Sequence, residues 1–354
     1  MATGARDWKY RVYPLHERGT LIAAAPAYRS TAPQSQRIGF AAAPMTADRP
    51  LISVVLLCYN QERFVAEAID GVLTQTYSPL EIVIIDDAST DATAKIIGAK
   101  LAERSNAANV RFVRNPQNLN ANVSARSGIE MTTGPLILVS SGDDIMLPEM
   151  IAEMAEVWIA ENVSLVTTNA IYIDEHSNPV GRTFRDPSVP ADDSFKTLAR
   201  DGTNACCFGP AIAFEREIYA TFGWPPRYLN AYDMMVPFYA YLLKGARFIN
   251  KPLLKYRVHS QNTSLSLMAE KSDGIERLLT TERMLFGHIA HALLMQDEIR
   301  RLSKAMPERY GELASRIDPL LTVQITEMAR KFVATRIELH QMDSNPDVGH
   351  FLKP

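Results

Sequence analysis

Between residues 51 and 144 the chain uses one device four times: a short apolar run rich in β-branched residues, closed at once by a polar or acidic cluster. Residues 51–57 lead into Cys58-Tyr59-Asn60-Gln61, and residues 82–85 into Asp86-Asp87-Ala88-Ser89-Thr90-Asp91. Residues 110–113 lead into a polar loop, and residues 136–139 into Ser140-Ser141-Gly142-Asp143-Asp144. Continuous apolar runs this short fit strands covered on both faces, as in a parallel sheet. Helical spacing separates them, with Phe64, Ala68, Ile69, Val72 and Leu73 on one face, then Ala94, Ile96, Ile97 and Leu101, then a helix near 122–131. The alternation predicts an α/β fold. Parallel strands of a doubly wound sheet end on one edge, so Tyr59, Asp87, Asn118 and Asp143 are expected to meet at one crevice.

A single Asp after a strand most simply caps a helix or a turn, and Ser89, Thr90 or Asp91 can cap the helix that follows. Two acidic pairs on one lip, Asp86-Asp87 and Asp143-Asp144, suggest more. The first strand-to-helix turn, Cys58-Tyr59-Asn60-Gln61-Glu62, has no glycine to bring backbone amides against phosphate, which argues against dinucleotide and P-loop chemistry. The charge of a bound diphosphate then has to be met by a cation, for which carboxylates such as Asp143 are natural ligands. A flavodoxin-like phospho-acceptor domain also gathers acids at strand ends, but the length and the lack of a lysine-bearing strand count against it.

Composition narrows the class. The 354 residues, 47% of them hydrophobic, suffice for a packed core, and 37 basic against 40 acidic residues offer no cationic field for nucleic acid. Three cysteines, Cys58, Cys206 and Cys207, imply no disulfide framework and suit a reducing compartment. No apolar run approaches the roughly 20 residues that span a bilayer. Arg6, Asp7, Lys9 and Arg11 precede no apolar stretch of leader type, so a cytoplasmic site is expected, at most peripheral at the inner face of the membrane.

Past Pro148 a helix is expected at 149–161 and a strand near 164–169, followed by a Pro- and Gly-punctuated region to about residue 226. From residue 265 onward the chain reads as helical, with Ile275, Leu278, Leu285, Ile289 and Leu293 on one face and a further helical pattern over 319–339. Packing on the preceding α/β domain or on a second copy is expected of these helices. Membrane contact is the lesser option, because acids and bases alternate as in Glu298-Ile299-Arg300-Arg301.

From Pro50 to Ser264 the chain resembles the inverting GT-A glycosyltransferases of family 2. The ordered motifs are residues 51–60, Gln75-Thr76-Tyr77, residues 81–90, residues 115–128, and Ser141-Gly142-Asp143-Asp144 with Pro148. Residues 211–223, Tyr232-Asp233 and Tyr256-Arg257-Val258-His259 with Asn262 and Ser264 are similar to the family's acceptor-side segments. The resemblance implies a GT-A fold, a Rossmann-like mixed and mainly parallel sheet flanked by helices. Its domain plan is an extension at 1–50, a catalytic domain at 51–264 (nucleotide half 51–144, acceptor half 145–264), and a helical region at 265–354.

The implied reaction moves a sugar from a nucleotide-diphosphate donor to an acceptor hydroxyl with inversion, using Mg2+ or Mn2+. A saccharide or lipid-linked saccharide acceptor, in bacterial surface polysaccharide or glycoconjugate synthesis, is the implied setting. Leu57, Tyr59 and Asp87 match positions that hold base and ribose, Arg126 a donor-side basic residue, and Ser141 and Gly142 the rest of the donor set. Asp143 matches the metal-binding carboxylate, His259 a histidine that completes the metal shell, and Asp233 the base that deprotonates the acceptor. The chain departs from the pattern at Ser141, where an Asp often stands, at Tyr232, where an acid precedes the base, and at Asn120, where Gly is common. Ser141 and Tyr232 support the competing reading, a non-catalytic nucleotide-sugar-binding or scaffolding protein that keeps the fold.

Overall fold

The structure, a computed structural model, describes residues 49–103, 109–188, 209–225, 234–262 and 273–343. Tyr232, Asp233, Cys206, Cys207 and Ser264 lie outside them, as does nearly all of the expected extension at 1–50.

The four apolar runs form β1 (Ile52–Cys58), β2 (Leu80–Asp86), β3 (Val110–Arg114) and β4 (Leu136–Ser141), which pair in parallel in the order β3-β2-β1-β4. The helices α1 (Val65–Leu73), α2 (Thr93–Ala102) and α3 (Ala121–Glu130) make the crossovers. Register does the rest: Cys58 pairs with Asp86, and Leu57 with Ser141, so the acidic turns leave the sheet side by side at its carboxyl edge.

Beyond β4 the sheet turns mixed. The elements are β5 (Ile145–Met146), α4 (Met150–Glu161), β6 (Leu165–Ile173), β7 (Pro179–Thr183), β8 (Ile212–Glu215), α5 (Glu217–Phe222), α6 (Val236–Leu243) and β9 (Ala246–Arg257). β8 runs antiparallel to both β4 and β6, β9 lies parallel to β6, and β5 closes the far edge of the order β4-β8-β6-β9-β5 against β9. Sequence periodicity did not reveal β5, β7, β8 or β9.

Alternation along the strands splits the core into two layers. Ile52, Val54, Leu56 and Cys58 face a layer that also takes Val65, Ile69, Ile97 and Met154 from α1, α2 and α4. Val55, Ile137 and Val139 face the opposite layer, with Ile129 of α3, Ile218 of α5 and Phe238 of α6. Two long helices, α7 (Gly274–Ala305) and α8 (Pro307–Asp343), follow and confirm the helical region. Met295, Ile299, Leu302, Tyr310, Ile317 and Leu321 join the second layer, so these helices pack on the sheet domain. Burying each such side chain contributes about 1.5–3 kcal/mol. Leu293, expected on the buried face, is 49% exposed instead. Steps of four residues rotate about 40° past a full turn, and two of them carry Leu293 off the stripe that starts at Leu285. Among the described residues no helix is long and apolar enough to cross a membrane.

Candidate functional site

The loops after β1 and β2 are laced together. Asn60, in the left-handed region at φ 52°, donates its N–H to Ser89 Oγ (2.9 Å), and its Oδ1 accepts from the Thr90 N–H (2.8 Å). Gln61 N–H donates to Thr93 Oγ1 (2.8 Å), and Glu62 and Asp91 exchange bonds with each other's loop. None of the three candidate caps stands at the N-cap of α2, which is Ala92; Asp91, one position earlier, accepts from Thr93 N–H at 2.9 Å. Tyr59 stands out from this seam, 45% exposed, with its ring open to a partner.

The first acidic pair divides its labour. Asp86 is fully buried, pairs with Arg114 Nε (3.1 Å) and accepts from Ser89 N–H (3.3 Å), so it fastens two strand ends. Asp87 Oδ1 accepts from Asn115 Nδ2 (2.7 Å) and from Leu119 N–H (2.9 Å), which draws the Asn118 loop to the same lip. Asn120 adopts φ 69° and caps α3 by accepting from Asn122 and Val123 N–H. With ψ at 161° this lies outside the left-handed helical region that Asn adopts readily and in one otherwise kept to Gly, so Asn120 holds a strained backbone where Gly is common.

The second pair comes from the end of β4. Gly142 N–H donates to Leu57 O (2.8 Å), and Ser141 Oγ accepts from Gln61 Nε2 (3.2 Å). Gly142 is required by space, since a Cβ there would lie 2.5 Å from Gln61 Oε1 and 2.8 Å from Cys58 Sγ. Burial, then the charges of Asp86 and Asp143, push the Cys58 thiol well up, so it stays protonated. Asp143, 9% exposed, places Oδ2 3.0 Å from Nε2 of His259, just beyond β9. Gln261 N–H points at His259 Nδ1 (3.2 Å), which leaves Nε2 facing Asp143. Asp144 is buried deeper. Its Oδ1 accepts from Arg257 N–H (3.0 Å), while Oδ2 has no partner. Burial and then the charge of Asp143 hold its carboxyl well above the usual range.

The structure thus gathers Leu57, Tyr59, Asp87, Ser141, Gly142, Asp143 and His259 around the carboxyl edge of the sheet. Arg126 pairs with Glu130 (2.7 Å) and lies 5.1 Å from the Trp224 ring centroid, contacts that do not involve those residues. The segment Tyr256 to His259 meets the Asp143-Asp144 turn, with His259 beside Asp143. Gln61, Asn115 and Arg257, which bind these turns, had no sequence signal apart from their neighbourhood in the motifs.

Known proteins are similar to this chain in sequence and in fold. The family described as "Glycosyl transferase family 2" matches residues 53–223. An uncharacterized glycosyltransferase of Nostoc sp. is 26% identical over 226 residues, 63% of this chain and 69% of its own. EpsE of Bacillus subtilis, named among the glycosyltransferases, is 31% identical over 142 residues, 40% of this chain, which spans only 50% of EpsE. The crystal structure of S. aureus TarS 1–349 in complex with UDP-GlcNAc has a TM-score of 0.50 at 17% identity, covering 82% of this chain and 91% of that one. That likeness is one of fold, a curled mixed sheet with flanking helices of GT-A type.

Proposed function

We propose that the chain is a glycosyltransferase of family 2, which it matches over residues 53–223, and that it moves a sugar from a nucleotide-diphosphate donor to an acceptor hydroxyl, with inversion and with a divalent cation. The observation that carries the reading is the meeting of Asp143 and His259 at 3.0 Å, beside the turn that holds Ser141 and Gly142.

The residues fit a cation. A carboxylate and an imidazole suit Mn2+, and Mg2+ or Mn2+ sites that serve phosphates use one or two protein carboxylates and leave the other positions to substrate oxygens and water. No group of three or more ligating side chains occurs among the described residues, so diphosphate oxygens would complete the shell. Asp144 Oδ2 is buried without a partner in the same turn, and a nearby cation would favour its charged form. Once bound, the cation offsets the charge that develops on the departing diphosphate.

The chain's own groups then have defined tasks. The exposed ring of Tyr59 offers a face on which a base can stack. Ser141, its oxygen already accepting from Gln61, keeps a hydroxyl proton to donate to the donor's ribose. Asp87 holds the Asn115 loop closed against that end of the site. Asp233, matched through the resemblance alone, takes the proton of the acceptor hydroxyl as its oxygen attacks the anomeric carbon. The acceptor we propose is a saccharide or lipid-linked saccharide of bacterial surface polysaccharide or glycoconjugate synthesis, met at the inner face of the membrane.

A panel of nucleotide sugars, incubated with acceptor mixtures in Mn2+ or in chelator, tests the reading through release of nucleotide diphosphate. Release with one donor, abolished by chelator, is expected, and a product with retained anomeric configuration by NMR would refute inversion. Nucleotide binding without release from any donor would favour the alternative that Ser141 suggests, a non-catalytic nucleotide-sugar-binding protein.

A further inference from the structure

Arg257, the last residue of β9, is 1% exposed, although an arginine brings five N–H donors that need partners. Nε donates to the backbone oxygen of Asp143 (2.9 Å). Nη1 donates to Asp174 O (3.2 Å) and Ser177 Oγ (2.9 Å), and Nη2 to the half-exposed Glu67 carboxylate of α1 (2.7 Å). Its backbone N–H donates to Asp144 Oδ1. The guanidinium also lies 4.7 Å from the Phe64 ring centroid, and the same ring packs 4.7 Å from the His259 imidazole.

We infer that Arg257 is a positioning residue that sets the Asp143–His259 pair for cation capture, an inference that rests on the cation reading above. With the Asp143 carbonyl held by Nε and the Asp144 carboxylate held by the backbone N–H, the turn after β4 is pinned on both sides of one peptide. Only the two side-chain torsions of Asp143 remain, and the bond to His259 settles them. Lysine cannot replace this fork, because a single ammonium does not reach a backbone carbonyl, a hydroxyl and a carboxylate in three fixed directions. Stability is a poor reason for such a group. Burying an arginine costs more than one half-exposed carboxylate returns, so the contacts are better explained by what they orient.

The test is Mn2+ binding by electron paramagnetic resonance of the free ion, with transfer rate against Mn2+ at saturating donor. Arg257→Lys is expected to weaken Mn2+ binding about tenfold or more, the usual effect of losing a group that orients a ligand. The half-saturating Mn2+ rises while kcat at saturating Mn2+ largely recovers. A purely structural role would lower kcat or folding without moving the Mn2+ midpoint, and that result overturns the inference. If Arg257→Lys does not fold, Glu67→Gln with Ser177→Ala removes only the outer partners of the fork. A fall in Mn2+ affinity in the same direction supports the inference, and unchanged affinity overturns it. Wild-type protein that takes up no Mn2+ sinks the cation reading and this inference together, whereas wild-type uptake matched by both variants sinks this inference alone.

Discussion

His259 Nε2 stands 3.0 Å from Asp143 Oδ2 across 116 residues of sequence, bringing the end of β9 onto the turn after β4. That meeting needs β9 to pass through the sheet beside β6 and to emerge next to β5, as the pairing shows. Asp143→Asn keeps the size of the side chain and an oxygen for the His259 bond, so the fold is expected to survive. Donor turnover should fall roughly a hundredfold or more, the equivalent of about 3 kcal/mol of lost charge stabilisation. Measured with a chelator titration, the residual rate of the variant should no longer respond to cation. A variant as fast and as chelator-sensitive as wild type would remove Asp143 from the site.

Gly142 sits where no side chain fits, its virtual Cβ 2.5 Å from Gln61 Oε1 and 2.8 Å from Cys58 Sγ. Gly142→Ala is therefore expected to destabilise the protein by about 1–3 kcal/mol, as overpacking of a tight site does. Gln61 is the far end of a flexible side chain, whereas Cys58 lies within buried β1. Adding Gln61→Ala should recover part of the loss, and denaturant unfolding of both single variants and the double gives the coupling. Strict additivity would show that the two residues do not collide.

The sheet's parallel half was open to sequence reading because its strands are short apolar runs, each ended by polar residues. β9 was hidden for a physical reason. Its burial alternates only in part, and its pairing with β6 shifts register twice around Asn169, with Asn250 and Pro252 interrupting the pattern. The acidic pairs were legible as a place, not as roles: nothing in Asp86-Asp87 tells that the first is sealed under Arg114 while the second ties down Asn115. Arg257 was read as part of a motif, yet its contacts come from three segments that are brought together by tertiary structure alone.

Glu67 offers a pH signature. Partial burial raises its carboxyl, but hydrogen bonds from Ser177 and Arg257 and the charges of Arg257 and Lys255 outweigh that and leave it below its ordinary value. A group lowered on folding stabilises the native state above its unfolded value, near 4.3 for Glu, and that contribution disappears as pH falls through the folded value. Glu67→Gln should therefore be less stable than wild type at neutral pH, with the difference shrinking as the pH drops below about 4. Half-exposed as the side chain is, the effect is small, and thermal melts from pH 3 to pH 7 measure it. A difference that is constant across that range would mean the carboxylate's charge contributes nothing.

The register of α7 makes the last prediction. Ile299 is fully buried and packs in the same layer as Val236, Phe238 and Ile317, whereas Leu293, less than two turns earlier on the same helix, is 49% exposed. Truncating a buried Ile removes its transfer free energy and leaves a cavity, so Ile299→Ala should cost about 2–5 kcal/mol. Truncating an exposed Leu on a helix loses little, and Leu293→Ala should stay within about 0.5 kcal/mol, helped by the higher helix propensity of Ala. Urea unfolding followed by far-UV circular dichroism compares them directly, and the contrast matters more than either value. Equal and large losses would place Leu293 in an interface and rotate α7 relative to the sheet. Equal and small losses would mean that α7 is held to the catalytic domain by contacts other than those around Ile299.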